Sequence, residues 1–98
     1  MSRWVCIFDD TIEMLDVRQR KRTPHLGFLR DNAHSILIAG GLSPAPEEAP
    51  TGGLWVMEAF DKAAAAAIVE ADPYFDARYR RYTLHHWAKA LKDVAVTL

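Results

Sequence analysis

This sequence predicts an α+β domain of the ferredoxin-like type, with the element order β-α-β-β-α-β. Three observations lead there. Four short runs, Ser2–Phe8, Ser35–Ala39, Leu54–Phe60 and Tyr79–Trp87, are rich in β-branched and aromatic residues and read as strands. Two helical patterns, Thr23–Asn32 and Lys62–Glu70, fall after the first and third strands. The chain has 98 residues, which is one domain over 1–98. Right-handed crossovers would place both helices on one face of an antiparallel sheet.

Taken in order, Ser2–Phe8 is apolar on both faces, as a central strand is. Asp9-Asp10-Thr11 ends it. Thr11–Lys21 fits neither period well. Ile12, Met14, Leu15 and Val17 match a helical face only loosely, and Arg18 to Arg22 reads as a solvated basic loop or helix end before it reads as an anion-binding patch. At Thr23-Pro24 the threonine suits an N-cap and the proline suits N1, where a missing N–H costs nothing. His25 is then N2. Leu26, Leu29 and Ala33 continue at helical spacing, and Phe28 widens the stripe. Gly40-Gly41 closes the second strand. Leu42–Gly53 is a Pro/Gly-rich loop without periodicity, of a length that often serves as a lid (42–53).

In the third strand Leu54, Val56 and Glu58 face one way, and Trp55, Met57 and Ala59 the other. Asp61 is an apt N-cap for a helix with five consecutive alanines, which can lie close to a sheet. Asp72-Pro73 breaks that helix, because the residue before a proline leaves the α region. Asp72 can then cap a short turn through Ala77. Tyr82, Leu84 and His86 share one face of the last strand, and Arg81, Thr83, His85 and Trp87 the other. Residues 89–98 form a tail that no periodicity assigns.

Composition excludes several functions. Lys and Arg number 12 against 13 Asp and Glu, which argues against nucleic-acid binding, where affinity comes from neutralising phosphates. The single cysteine, Cys6, rules out an internal disulfide and a thiolate zinc cluster, and within a core strand it is a small hydrophobe. No apolar run approaches the roughly 20 residues that span a bilayer. No signal-peptide pattern opens the chain. A cytoplasmic protein without membrane or nucleic-acid partners is expected. His85 and His86 point to opposite faces of a strand, His34 stands at a helix end, and no metal-ligand or phosphate-loop spacing occurs, so neither metal nor cofactor is expected. Apolar residues on both sheet faces predict a homodimer packed through the face that the helices leave bare. Trp4, Trp55 and Trp87 suit the core or that interface.

The connectivity also makes a geometric prediction. In this topology the first and last strands are adjacent, so the start of the first helix and the end of the second lie at one end of the sheet. His25 and Asp72, far apart in sequence, should approach each other. Imidazole titrates near 6.5 and can act as a base at neutral pH. An aspartate on its other nitrogen would fix the tautomer. Such a pair suits proton abstraction from a phenol, enol or carbon acid. Arg22, three residues before His25, is placed to hold a substrate carboxylate or phenolate, and Tyr74 to line the pocket or pack beneath it. Simpler roles stand beside these: Asp72 as a helix cap, and His25 as a surface histidine.

At these residues the chain resembles the YciI-like, or YCII-related, family. The matching elements are Arg22-x-x-His25-Leu26, Leu37-Ile38-Ala39-Gly40, Gly52-Gly53, Ala71-Asp72-Pro73-Tyr74, and the final strand Tyr79–Trp87, over roughly residues 3 to 91. The resemblance implies a dimeric α+β barrel of ferredoxin-like subunits and an active site built from the motif His and Asp, here His25 and Asp72. Arg22, Gly40 and Tyr74 are then the substrate-binding candidates. One characterised member removes chloride from a chlorinated hydroxyhydroquinone, which makes aromatic catabolism a precedent. Two features depart from the family: Gly40-Gly41 stands where Gly-Pro is usual, and the 42–53 loop carries Pro44, Pro46 and Pro50. The expected function is a small, cofactor-free, lyase-like (dehydrochlorinase-like) or hydrolase-like enzyme acting on a small polar or aromatic metabolite. Its alternative is a non-catalytic dimeric module that binds a small molecule or a partner.

Overall fold

Ser2–Asp10 forms β1, with one face of alternating Cys6 and Phe8 turned inward and almost wholly buried. In the computed structural model, which describes residues 1–98, the remaining elements are α1 (Met14–Arg20), α2 (Arg22–Asp31), β2 (Ile36–Leu42), β3 (Gly52–Ala59), α3 (Lys62–Ala71) and β4 (Arg80–His86). The four strands form one antiparallel sheet in the order β2-β3-β1-β4. This is the ferredoxin-like α+β arrangement, with β1 and β4 neighbours as the connectivity required.

The core lies between the helices and one sheet face. Cys6, Phe8, Trp55, Met57, Ala59 and Leu84 from the strands meet Ala65 and Val69 of α3, and Phe28 and Leu29 of α2 pack against them. Small Ala65 lets α3 lie close to the sheet. Asp61 caps that helix, its carboxylate accepting from the Ala64 N–H at 2.8 Å. On the other sheet face apolar side chains stay open to solvent: Ile7 is 40% and Ile38 54% exposed.

Three boundaries differ from the sequence reading. First, Thr11–Lys21 contains a helix, α1, so the first crossover holds two helices. Met14 and Val17, spaced i and i+3, bury against Tyr74, and Asp16 bonds Arg20 one turn on at 2.7 Å. Second, α2 begins at Arg22. Lys21 both ends α1 and opens α2, so Thr23 is not the N-cap, and Pro24 sits in the first turn, where its missing N–H is still harmless.

Third, the glycine pairs belong to strands. Gly40, Gly41 and Leu42 pair with Leu54, Gly53 and Gly52, which shortens the loop to residues 43–51. Gly52 lies opposite Asp9 on β1, and a Cβ there would run into the Phe8 carbonyl oxygen, so a close approach, not a turn, requires glycine. Residues 87–98 carry neither helix nor strand.

Candidate active site

His25 is the one buried residue of α2. Its backbone N–H donates to Lys21 O at 3.0 Å, placing it at the end of the helix's first turn. Asp72 follows the last turn of α3 with extended dihedrals (φ −64°, ψ 131°), as the following Pro73 demands. Its side chain is 1% exposed. The Oδ1 atom accepts from the Tyr74 N–H at 3.1 Å and lies 2.7 Å from His25 Nδ1. Capping and histidine contact, which competed as readings of Asp72, are thus made by the same oxygen.

Two constraints hold the imidazole. Asp72 acts in the ring plane. Tyr74 acts on the ring face, stacked with centroids 3.6 Å apart and planes 3° from parallel. The tyrosine is itself anchored, its hydroxyl donating to the Arg18 carbonyl at 3.0 Å. A carboxylate only accepts, so a neutral ring facing it would donate from Nδ1 and leave the Nε2 lone pair free. Nε2 has no hydrogen-bond partner within the protein.

The ring lines a cleft of about 170 Å³ between α2 and the sheet. Its walls are Arg18, Arg22, Tyr74, Arg80, Phe8, Leu26, Leu29, Trp55, Ala39, Gly40, Gly41 and Gly53. The residues expected at the site, Arg22, His25, Gly40 and Tyr74, are therefore gathered at one place, with Asp72 directly behind His25. Arg22 is exposed at the cleft and makes no ion pair.

Sequence reasoning missed a second constellation. The Asp10 carboxylate, its side chain 1% exposed, accepts from Arg80 Nε at 2.7 Å and from Arg80 Nη2 and Arg18 Nη2 at 3.0 Å each. Arg18 Nη2 also donates to Gly52 O at 2.8 Å. Burial pushes the Asp10 carboxyl up, but the hydrogen bonds and charges of Arg80 and Arg18 outweigh it and hold it below the ordinary carboxylate value. The Arg80 guanidinium lies over Phe8 at 4.3 Å, and that of Arg18 over Tyr74 at 5.6 Å. A parity signal was present: Arg80 shares the inward face with Tyr82 and Leu84, and an inward charge at that position needs a partner. Asp10 is its register partner across β1 and β4.

Other sequence candidates stay apart from the cleft. His85 bonds Thr83, and His86 packs edge-on against Trp4. No group of three or more His, Cys, Asp or Glu side chains is gathered as a metal site. No helix is long and apolar enough to cross a membrane.

Comparison with known proteins agrees with this fold. The model of the YCII-related domain matches residues 2–88. No curated protein sequence matches the chain. Among solved structures, it is similar to 5-chloro-2-hydroxyhydroquinone dehydrochlorinase from Burkholderia phenoliruptrix AC1100, in complex with 2,5-dihydroxybenzoquinone. The TM-score is 0.75 at 23% identity, over 88% of this chain and 93% of that one.

Proposed function

The chain belongs to the YCII-related family, and from that premise we propose that it is a small catabolic enzyme in which His25 moves a proton and Asp72 orients it. The carrying observation is the 2.7 Å contact between His25 Nδ1 and Asp72 Oδ1 beside the cleft. Nε2 takes a proton from a phenol, enol or carbon acid and later returns it, a role that contributes on the order of 10²–10⁴-fold. Such transfer needs no cofactor. The substrate is a small polar or aromatic metabolite, in keeping with the hydroquinone chemistry of the structural neighbour. Arg22, Gly40 and Tyr74 bound it.

The same proposal includes a homodimer. The sheet face opposite the helices exposes Ile7 and Ile38 beside Val5, Leu54 and Val56, an apolar surface suited to a second sheet and to closure of an α+β barrel. Light scattering tests it: twice the chain mass is expected, and a monomer at micromolar concentration refutes it.

The test of catalysis is proton exchange in D₂O, followed by ¹H NMR over a panel of hydroquinones and enolisable acids. At least one compound should exchange faster with the parent protein, and the acceleration should vanish in His25→Ala and fall sharply in Asp72→Asn, both still folded. Compounds that bind without accelerated exchange or turnover, with affinity kept in His25→Gln, would instead identify a binding module.

A further inference from the structure

We infer that the cleft selects a small anion and that Arg18 is the residue that confers this specificity. The inference deepens the acid–base reading and rests on it for the identity of the cleft as the substrate site. Charge around the cleft is the starting point. Its lining carries Arg18, Arg22, Arg80 and His25, and no carboxylate. Two carboxylates stand behind it. Asp72 meets His25 and the Tyr74 N–H through Oδ1, on the far side of the imidazole from the cleft, and its Oδ2 is buried without a partner. Asp10 alone faces the side chains of Arg18 and Arg80, 17% and 3% exposed. One carboxylate shared between two guanidinium groups leaves the half-buried Arg18 without a carboxylate of its own, a partner that an anion in the cleft would supply.

The two arginines are not equivalent. Arg80 is matched: Nε and Nη2 engage the two oxygens of Asp10, and Phe8 covers its face. Arg18 uses Nη2 alone, for Asp10 and Gly52 O. Its Nε is buried without a partner, and Nη1 donates to nothing in the protein. Beside Nη1 stands Gly41, where a Cβ would lie 3.6 Å away, so glycine leaves that side of the guanidinium uncovered. Arg18 is also positioned by the ring that positions the base, since Tyr74 stacks on His25 and carries the Arg18 guanidinium over its ring.

This arrangement fixes the ligand class. A cleft of about 170 Å³ is smaller than the roughly 300–1,000 Å³ of drug-sized pockets, so it admits one six-membered ring or a short chain. The ligand bears a carboxylate, phenolate or enolate oxygen, which accepts from Arg18 in a charge-assisted hydrogen bond. If the proton leaves to His25 Nε2, the electron pair stays on that substrate and its oxygen charge collects beside Arg18.

The test uses benzoate and its neutral analogue benzamide, titrated calorimetrically at pH 7.5 and low salt. Benzoate should bind at least tenfold more tightly. That preference should shrink to within threefold in Arg18→Met and survive in Arg30→Met, an exposed arginine in the last turn of α2 outside the cleft. Equal or undetectable binding of the two compounds overturns anion selection. A preference that survives Arg18→Met overturns the assignment to Arg18. Should Arg18→Met fail to fold, ¹⁵N spectra of the parent decide: benzoate must shift the Arg18 Nε–H resonance, assigned through its side-chain carbons, and an unmoved signal refutes the inference. In His25→Gln the preference persists if arginine supplies the charge; its loss assigns the charge to imidazolium and overturns the inference. Proton exchange by the parent is scored separately, so the acid–base reading stands or falls on its own.

Discussion

Replacing Asp72 by Asn should change which nitrogen of His25 carries the proton. In the parent protein, Asp72 Oδ1 lies 2.7 Å from Nδ1, and the carboxylate is 1% exposed. A hydrogen bond to a charged group is worth about 1.5–3 kcal/mol, which biases the neutral ring toward the Nδ1–H tautomer by roughly ten- to a hundredfold. Asparagine keeps the cap, because its carbonyl can still accept from the Tyr74 N–H, but a neutral bond is worth only about 0.5–1.5 kcal/mol. Its amide can also turn and donate to Nδ1, reversing the tautomer. Two-bond ¹⁵N–¹H correlation at pH 8.5 reads the result directly. The parent should show Nδ1–H almost alone, and Asp72→Asn a mixture or a reversal. Proton transfer through Nε2 should fall with it, by up to the 10²–10⁴-fold of a general base. A parent ring protonated on Nε2 at that pH would refute the reasoning, because the lone pair would then face Asp72 and not the cleft.

Other expectations concern the support of the site. Asp10→Ala removes the partner of the buried Arg80 and the half-buried Arg18 and should cost about 3–5 kcal/mol in urea unfolding; a loss below about 1 kcal/mol would show the network to be idle. Because the folded Asp10 carboxyl lies below its ordinary value, its contribution is full above the unfolded pKa of about 3.9 and is lost as pH falls through the folded value. The Asp10→Ala variant should therefore show a flatter acid limb than the parent. Gly52→Ala would press a methyl group on the Phe8 carbonyl and should cost about 1–3 kcal/mol by overpacking, measured the same way. Cys6 is fully buried, and burial pushes its thiol up to about 12 against the opposing charge of Arg80, so iodoacetamide at pH 8 should leave it unmodified until urea unfolds the chain.

Much of the fold was legible because period and punctuation agreed. Asp61 before the alanine run marked a helix start, and Pro73 forced Asp72 out of the helix in the sequence as in the structure. The expectation that the ends of the two helical crossovers meet came from strand order alone. What escaped was carried by contacts that leave a weak periodic trace. The helix α1 buries only Met14 and Val17, too few positions to impose a stripe, and is held by Tyr74 from the far end of the chain. Gly40-Gly41 read as the close of a strand and Gly52-Gly53 as loop because glycine's usual signal is freedom; at Gly52 its use is the absence of a side chain beside the Phe8 carbonyl. Asp10 and Arg80 are separated by 70 positions, and only the register of β1 with β4 makes them partners.

That register explains why cleft and fold are hard to separate. Asp10 closes the seam between β1 and β4, and the same carboxylate fixes Arg18, whose backbone carbonyl accepts the Tyr74 hydroxyl. Tyr74 in turn stacks on His25, and its N–H fixes the oxygen of Asp72 that meets the imidazole. A chain of direct contacts thus runs from the sheet seam to the nitrogen proposed to carry the proton, within a molecule too small to bury a separate scaffold. Substitutions that loosen the seam should therefore blur the site before the chain unfolds. Weakening Arg80 would free Asp10 to pair with Arg18 alone, cancelling the positive charge that the cleft offers to a substrate. Stability and ligand charge preference are linked here through one carboxylate, and a variant that loosens the hold of Arg80 on Asp10 should lower both.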